Sequence, residues 1–296
     1  MRKAAGDGMT LHELYQTIKQ QLKEGGIEPY ASEARFLMEG VLGVDYQNIL
    51  VCGEMEATPK QLNKARSAVC RRLEGYPLQY LLGTWEFYSY PFEVGEGVLI
   101  PRPDTETLCE QGLAYLTHWQ MTHGKERPVV VDLCSGSGCL AVSGACEYEG
   151  ARVYAVEKYD AALSYLRRNV KLNQADVKIV QGDVLTNTYA EPIPEADLVL
   201  CNPPYLTEED MKHLQKEVTF EPASALYGEA EDGLTFYRAV SSGWRERIRS
   251  GGMLAFEIGM GQEQAVKQIL QKEGYQNICT VLDACGIIRV LTAVRP

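Results

Sequence analysis

The positions of apolar residues divide the chain into an N-terminal part with helical spacing and a longer part with short apolar runs. The first stripe of the N-terminal part recurs every three or four residues and comprises Leu11, Leu14, Tyr15, Ile18 and Leu22. Thr10 and Glu13 stand at the spacing of a capping box, in which each side chain binds the other residue's backbone N–H. This pattern predicts a helix that begins at Thr10 and runs to about Gly25.

Two more helical stripes follow in the N-terminal part. One of them comprises Ala34, Leu37, Met38 and Val41. The other begins at Thr58 and Pro59, a favourable cap and first helical residue, and continues to Leu73. We therefore predict a small helical bundle over residues 10 to 75, within an N-terminal domain of residues 1 to 76.

The pattern changes after the third helix, where aromatic and β-branched residues are punctuated by proline and glycine. These residues are Trp85, Phe87, Tyr88, Tyr90, Phe92 and Val94, with Pro91, Gly95 and Gly97 among or after them. Such a stretch predicts a strand pair or hairpin. We place it in a linker of residues 77 to 104 and expect its aromatic residues to serve core packing.

Short apolar runs alternate with helical patterns from Pro128 onward. The runs that indicate strands are residues 128 to 133, 151 to 156, 177 to 181, 197 to 201 and 253 to 258. This alternation indicates a doubly wound, mostly parallel sheet. Only a few residues separate the last two runs, 276 to 282 and 286 to 294, so these should pair antiparallel. The arrangement is typical of the class I methyltransferase fold, with seven strands of which the last is antiparallel, and we assign residues 105 to 296 to it.

Composition and charge narrow the class of protein. The chain has 45% hydrophobic and 23% charged residues, as an ordinary globular protein does, and its net charge of −11 disfavours nucleic acid as a substrate. Its nine cysteines form no CxxC pair and no zinc-spaced cluster with histidine, so we expect reduced thiols and no metal.

No segment approaches the roughly 20 apolar residues of a membrane helix, which predicts a cytoplasmic protein. The first nine residues precede any periodic pattern, which leaves their order open.

A small, glycine-rich turn follows the first strand of the predicted sheet, at the edge where open α/β sheets bind ligands. The turn comprises Cys134, Ser135, Gly136, Ser137 and Gly138. Its glycines let the backbone approach a ligand closely, and Asp132 just before it offers a carboxylate to a cationic amino group. This pattern indicates a cofactor with a zwitterionic amino-acid end.

Two acidic residues continue the cofactor pattern at the ends of the next two strands. Glu157 lies roughly 20 residues beyond the last glycine, the spacing at which a carboxylate accepts both hydroxyls of a ribose. Asp183 follows the third strand, where it could accept from an adenine amino group while Val184 or Leu185 packs on the ring. A dinucleotide is the alternative, but Ala141 stands where its third glycine would be.

A tetrapeptide that follows the fourth strand comprises Asn202, Pro203, Pro204 and Tyr205. An amide or exocyclic amino nitrogen is a poor nucleophile because its lone pair is delocalised, so two acceptors must orient its N–H groups. The side-chain carbonyl of Asn202 and the backbone carbonyl of Pro203 can do this, because the prolines fix φ and hold both in place. Tyr205 can stack on the planar group. After this cofactor pattern, the tetrapeptide predicts methyl transfer from S-adenosyl-L-methionine to nitrogen.

Three other interpretations of the same residues stay open. Asn-Pro-Pro could end a strand as a rigid turn without chemistry. The tetrapeptide could serve an adenine or cytosine amino group after base flipping, although a net charge of −11 without a basic recognition domain opposes this. The chain could also be a cofactor-binding scaffold that has lost catalysis, against which the intact Asn202 loop argues.

Beyond these motifs, the chain closely resembles the bacterial glutamine methyltransferases that modify class 1 peptide-chain release factors at the glutamine of their Gly-Gly-Gln motif. The further matching segments are PLQYLLG at 77 to 83, LIPRPDTE at 99 to 106, EP with AL within 221 to 226, and FEIG at 256 to 259. The resemblance covers nearly the whole chain and implies cofactor contacts at the 134 to 138 turn, Glu157, Asp183 or Val184 and Asn202. It also implies that Asn202 to Tyr205 grip the glutamine amide.

The resemblance has two departures and one consequence for the N-terminal domain. Cys134 stands where the family more often has glycine, and its side chain is unstrained only if φ is negative. Glu157 replaces a frequent aspartate.

We expect a monomer whose helical domain helps to recognise the release factor, since one glutamine side chain offers little surface for specificity. The cations Arg71 and Arg72, near a helix end, are expected to be solvated.

Overall fold

The computed structural model describes residues 8–124 and 126–296, so the order of residues 1–7 lies outside its description. The chain divides into two compact units. The first unit extends to Gly83 and also includes Lys216–Phe220. The second unit comprises Thr84–Gln215 and Glu221–Pro296.

The first unit is the predicted helical bundle. Its helices are α1 (Leu11–Glu24), α2 (Tyr30–Phe36) with a π-helical continuation (Leu37–Val41), α3 (Tyr46–Cys52), α4 (Pro59–Leu73) and α5 (Leu78–Leu82), and a short 3₁₀ turn (Val218–Phe220) joins them. Thr10 caps α1 in a reciprocal capping box with Glu13, and Thr58 caps α4, as the sequence predicts. The short helices α3 and α5 were not predicted, because five to seven residues contain too few periods to show an apolar stripe.

The prediction that Arg72 is solvated is wrong. Arg72 is buried, and its guanidinium donates to both carboxylate oxygens of Glu33 at 2.6 and 3.0 Å. A third bond, of 3.0 Å, reaches Glu217 in the segment that joins this unit from later in the chain. The pairing is possible because Arg72 lies on the inner face of α4, and a fork of planar donors matches a carboxylate.

The aromatic stretch forms the predicted hairpin, β1 (Thr84–Phe87) and β2 (Tyr90–Glu93), which pair antiparallel. Phe87 and Phe92 are almost completely buried in the core of the second unit. The observed division therefore falls between Gly83 and Thr84, within the stretch that we assigned to a linker. The hairpin lies with the second unit because these two rings bury most of their surface there.

An eight-stranded sheet forms the centre of the second unit. Its strands are β3 (Val129–Leu133), β4 (Arg152–Glu157), β5 (Val177–Asp183), β6 (Thr188–Tyr189), β7 (Ala196–Cys201), β8 (Ile248–Glu257), β9 (Gln276–Leu282) and β10 (Ile288–Val294), in the order β6-β5-β4-β3-β7-β8-β10-β9. Strands β5, β4, β3, β7 and β8 are parallel, and β10 is antiparallel to both β8 and β9. The predicted class I sheet with its antiparallel last strand is confirmed, and the two-residue β6 adds an eighth strand at one edge.

Helices cover the sheet and bury its central strands. The helices of this unit are α6 (Pro103–His123), α7 (Cys139–Glu147), α8 (Asp160–Leu172), α9 (Glu208–Lys212), α10 (Thr235–Trp244) and α11 (Glu263–Lys272), with 3₁₀ turns at Ala223–Ala225 and Arg245–Arg247. The five-residue α9 has no buried residue and does not contribute to this cover. Strands β3 and β7 are buried along their whole length, which explains their continuous apolar sequence. Within the described part of the chain, no helix is both long and apolar enough to span a bilayer.

Candidate active site

A cleft opens at the carboxyl ends of the central strands, where the strand order changes direction at β3. Leu133 at the end of β3 pairs with Cys201 at the end of β7, so the turns that follow these strands start side by side. Such a switch point is where open α/β sheets bind ligands. About 950 Å³ of empty space lies within the cleft, a volume that includes open solvent at its mouth.

Most of the residues predicted for the site line this cleft. They are Asp132, Cys134, Ser135, Gly136, Ser137, Glu157, Asp183, Val184, Asn202 and Pro204. Gly138, Pro203 and Tyr205 lie next to lining residues without forming the wall. The fold thus brings together motifs from the ends of β3, β4, β5 and β7.

Asp132 presents an unsatisfied carboxylate oxygen inside the cleft. Its Oδ2 accepts from Ser135 Oγ at 2.5 Å and from the Ala141 N–H at 3.2 Å. Its Oδ1 is buried and accepts no hydrogen bond from the described residues. Burial raises the pKa of Asp132 to about 7. A ligand with a cationic N–H group would satisfy this oxygen and favour the charged carboxylate.

The glycine-rich turn has left-handed backbone at three positions. Gly136 and Gly138 have φ of 56° and 84°, and a Cβ at Gly138 would lie 2.3 Å from a methyl carbon of Leu166. Gly138 is therefore required for close packing of the turn on α8. Cys134 has φ of 58°. Its side chain would be unstrained only at negative φ, so the backbone at Cys134 is strained.

Glu157 is held rigidly at the end of β4. Its carboxylate accepts from the backbone N–H groups of Gly136, Lys158 and Tyr159 at 2.9, 2.7 and 2.8 Å. Burial raises the pKa of Glu157 even though these three donors favour its charged form. A carboxylate can accept about four hydrogen bonds, so this side chain retains capacity for a ligand hydroxyl.

Asp183 lies on the cleft wall together with a partner that sequence reasoning missed. Lys158 Nζ is 3.0 Å from Asp183 Oδ2, and the Leu185 N–H donates to Oδ1 at 2.9 Å. Burial opposes the charged form, but Lys158 and the Leu185 N–H outweigh it and hold the pKa of Asp183 below its usual value. Of the two residues considered for packing on a ring, Val184 lines the cleft and Leu185 packs against the core.

Asn202 is oriented by two buried residues whose role the sequence did not reveal. Its amide nitrogen donates to Thr105 Oγ1 at 3.1 Å, and that hydroxyl donates to Glu257 Oε2 at 2.6 Å. Thr105 is 2% exposed and Glu257 is 3% exposed. The only sequence signal for them was the segments that contain them, LIPRPDTE and FEIG.

The loop after Asn202 is clamped through its backbone. The N–H groups of Tyr205 and Leu206 donate to the Leu226 carbonyl at 3.1 and 2.8 Å, and Gln262 Nε2 donates to the Tyr205 carbonyl at 3.0 Å. Burial raises the pKa of Tyr205 to about 12, so its hydroxyl stays neutral at physiological pH. Leu226 lies within one of the segments that carry the family resemblance, whereas no pattern in the sequence indicates Gln262.

A cation also faces the cleft. Arg102 lines it and forms an ion pair with Glu221, which is buried and accepts from the Ile100 N–H at 2.9 Å. Arg102 and Asp132 together give the cleft charges of both signs, which suits a zwitterionic ligand. Among the described residues, no group of three or more His, Cys, Asp or Glu side chains could hold a metal ion.

Comparison with known families divides the chain in a similar way. The family model for the PrmC N-terminal domain matches residues 13–83, and that for the methyltransferase small domain matches residues 113–229. A methyltransferase of known structure from Pyrococcus furiosus superposes with a TM-score of 0.50 at 15% identity, covering 71% of this chain and 90% of that one. This similarity shows the fold alone.

Curated relatives extend over nearly the full chain. The release factor glutamine methyltransferase of Geobacter sulfurreducens is 34% identical and covers 95% of this chain and 95% of its own. The protein of the same name from Moorella thermoacetica is 36% identical, with 97% and 99% covered. This chain therefore belongs to the release factor glutamine methyltransferase family.

Proposed function

We propose that this enzyme transfers the methyl group of S-adenosyl-L-methionine to the side-chain amide nitrogen of the glutamine in the Gly-Gly-Gln motif of class 1 release factors. The observation that carries the proposal is the orientation of Asn202. Its amide nitrogen is bound to Thr105, so its Oδ1 is available as an acceptor beside the cleft. Membership of the family supports glutamine as the methylated residue.

The residues of the cleft fit the proposed cofactor. Asp132 Oδ1, which is buried without a partner among the described residues, would accept from its amino group, and Arg102 on the cleft wall would offer a cation to its carboxylate. Glu157 would accept from the ribose hydroxyls. Asp183 would accept from the adenine amino group, while Val184 would pack on the ring. The glycines of the Cys134 to Gly138 turn carry no Cβ, so its backbone would be able to approach the cofactor closely.

The chemistry requires alignment more than a strong base. When bound, S-adenosyl-L-methionine supplies an electrophilic methyl group on a sulfonium centre. Asn202 Oδ1 and the Pro203 carbonyl accept the two N–H groups of the glutamine amide and favour its pyramidal form, while Tyr205 stacks on its plane. The residues of the cleft would hold the cofactor so that its methyl group passes to the amide nitrogen, with S-adenosyl-L-homocysteine as the leaving group. The cationic nitrogen then loses its proton to water, so we nominate no general base.

We assign recognition of the release factor to the N-terminal helical domain. A monomer acting on a protein in the cytoplasm, without direct contact with nucleic acid, agrees with the net charge of −11. The adenine or cytosine alternative uses the same tetrapeptide, but no feature of the described residues favours it.

The decisive experiment is transfer of a labelled methyl group to purified release factor. We expect label on the wild-type release factor and none on its Gln→Ala variant at the Gly-Gly-Gln motif. Transfer that survives this substitution, or no transfer at all, would overturn the proposal. Label on duplex DNA or RNA instead would favour the nucleobase alternative.

A further inference from the structure

We propose that Glu257 and Thr105 are positioning residues that fix which end of the Asn202 amide faces the glutamine substrate. The inference rests on the proposed function and extends it to two residues that touch neither substrate nor cofactor in that scheme. It begins with a continuous hydrogen-bond chain, from the Asn202 amide nitrogen to Thr105 and from Thr105 to Glu257.

The series of hydrogen bonds from Asn202 through Thr105 has a direction because it ends at the carboxylate of Glu257. A charged carboxylate only accepts hydrogen bonds, so the Thr105 hydroxyl must donate its single proton to Glu257. The Thr105 oxygen can then only accept from its other neighbour. That neighbour must present its NH₂ group to Thr105, which leaves Asn202 Oδ1 for the substrate.

The opposite orientation would disable the site. If the Asn202 amide were rotated by half a turn, its NH₂ group would face the NH₂ group of the glutamine, and two donors would oppose each other. Without such a neighbour, the two orientations of the Asn202 amide differ little in energy, because its oxygen and its NH₂ group have nearly the same shape. The carboxylate of Glu257 therefore sets the polarity of a side chain that it does not touch.

The two residues are anchored well enough to do this. Glu257 lies at the end of β8, where it pairs with Val290 of β10, and its carbonyl accepts from the Tyr237 hydroxyl at 3.0 Å. Thr105 lies in the first turn of α6, its N–H bound to the Arg102 carbonyl at 3.1 Å. Both side chains are almost completely buried, although Thr105 lies at the wall of the cleft, so water competes little for their hydrogen bonds.

Protonation of Glu257 would allow the hydrogen bonds between Glu257, Thr105 and Asn202 to form in either direction, because a protonated carboxyl group can also donate. Burial raises its pKa to about 7, against the hydrogen bond from Thr105. Of the charged neighbours, Asp104 raises this pKa, while Arg289 and Arg102 lower it. The other titratable neighbours are Tyr205, Tyr237, Cys139 and Cys201. They stay neutral near pH 7 because burial raises their own pKa values.

The test uses substitutions that keep the shape of each side chain. Glu257→Gln can donate to Thr105 and so permits the reversed chain, and Thr105→Val removes the hydroxyl. We expect each to lower kcat for release factor methylation on the order of 100-fold while the Kd for S-adenosyl-L-methionine changes less than about twofold. Thr105→Ser retains the hydroxyl and should restore most of kcat. Thr107→Val, a buried threonine on the same helix, is the matched control and should leave kcat unchanged.

Two further measurements separate positioning from a general loss of structure. The double variant Glu257→Gln with Thr105→Val should be no slower than the slower single variant, because both act through Asn202. At saturating cofactor, wild-type kcat should fall below about pH 7 as Glu257 becomes protonated, and Glu257→Gln should lack this fall.

The failure of this inference can be distinguished from that of the proposed function. If the wild-type enzyme methylates release factor and Glu257→Gln does so equally fast, the positioning role is wrong and the proposed function stands. Equal losses of kcat and cofactor affinity, or multiplicative losses in the double variant, would also overturn the positioning role. If the wild-type enzyme transfers no methyl group to release factor, the proposed function itself fails.

Discussion

Leu133 and Cys201 lie opposite each other on adjacent parallel strands, so the residues that follow them leave the sheet at the same edge. The glycine-rich turn begins with Cys134, and the tetrapeptide begins with Asn202. This register places the proposed cofactor site beside the proposed amide site, although the two motifs are far apart in sequence.

Asn202→Ala should abolish most methyl transfer. The substitution removes the acceptor Oδ1 and leaves Thr105 without its partner. We expect kcat to fall about 10²- to 10³-fold, the cost of removing one oriented group that stabilises the transition state. Calorimetric titration with S-adenosyl-L-methionine should show at most a small loss of affinity, because other residues supply most of the cofactor contacts. Unchanged turnover would exclude the catalytic role of Asn202, whereas absence of turnover in the wild-type protein would favour the scaffold interpretation.

Cofactor binding should stabilise the protein more at pH 8 than at pH 6. The pKa of Asp132 is raised to about 7, so its contribution to the stability of the free protein declines as pH rises from about 4 through 7. The cofactor's cationic amino group favours the charged carboxylate, so cofactor binding offsets the loss of stability that ionisation of Asp132 causes in the free protein. The rise in Tm on adding S-adenosyl-L-methionine should therefore grow between pH 6 and pH 8.

Asp132→Asn is the control for this pH dependence. The variant keeps the shape of the side chain but has no charge to bury, so the free protein should melt higher than wild type at pH 8. Its cofactor-induced rise in Tm should be small and should not grow with pH. Glu257 titrates in both proteins, so the difference between them isolates Asp132. An equal growth of the rise in Tm in both proteins would contradict the assignment.

Cys134→Gly should stabilise the protein. At φ of 58° a Cβ is unfavourable, and glycine relieves a strain of roughly 1 kcal/mol, partly offset by the greater freedom of the unfolded chain. Denaturant unfolding should show a higher midpoint for the variant. Cys134→Val, with a branched Cβ at the same position, should unfold at a lower midpoint than wild type. A destabilised glycine variant would show that the thiol contributes packing that outweighs the strain.

Deletion of residues 1–75 should separate protein recognition from cofactor binding. If the helical domain recognises the release factor, KM for the protein substrate should rise far more than Kd for S-adenosyl-L-methionine. Steady-state kinetics with release factor and direct titration with the cofactor measure the two effects. Similar losses in both would refute a role confined to recognition. Arg72→Met, which keeps the chain complete but removes the charge paired with Glu33, tests whether the integrity of the bundle matters.

Short-range patterns in the sequence determined most of the fold and many of the candidate site residues. The capping box at Thr10, the strands and the glycine-rich turn each depend on a few neighbouring residues. Parallel strands separated by helices also place their carboxyl ends at one edge, so Asp132, Glu157, Asp183 and Asn202 could be grouped before their positions were known.

Only the tertiary structure decided which distant residues meet. Thr105 and Glu257 are separated by 152 positions, and no local period indicates that they share a hydrogen bond. The same holds for Arg72 and Glu33 in the helical bundle. The left-handed φ of Cys134 depends on how the whole turn packs. Periodicity encodes which face of an element is buried, but the partner of a buried polar group is set by the packing of elements, which a single sequence does not express.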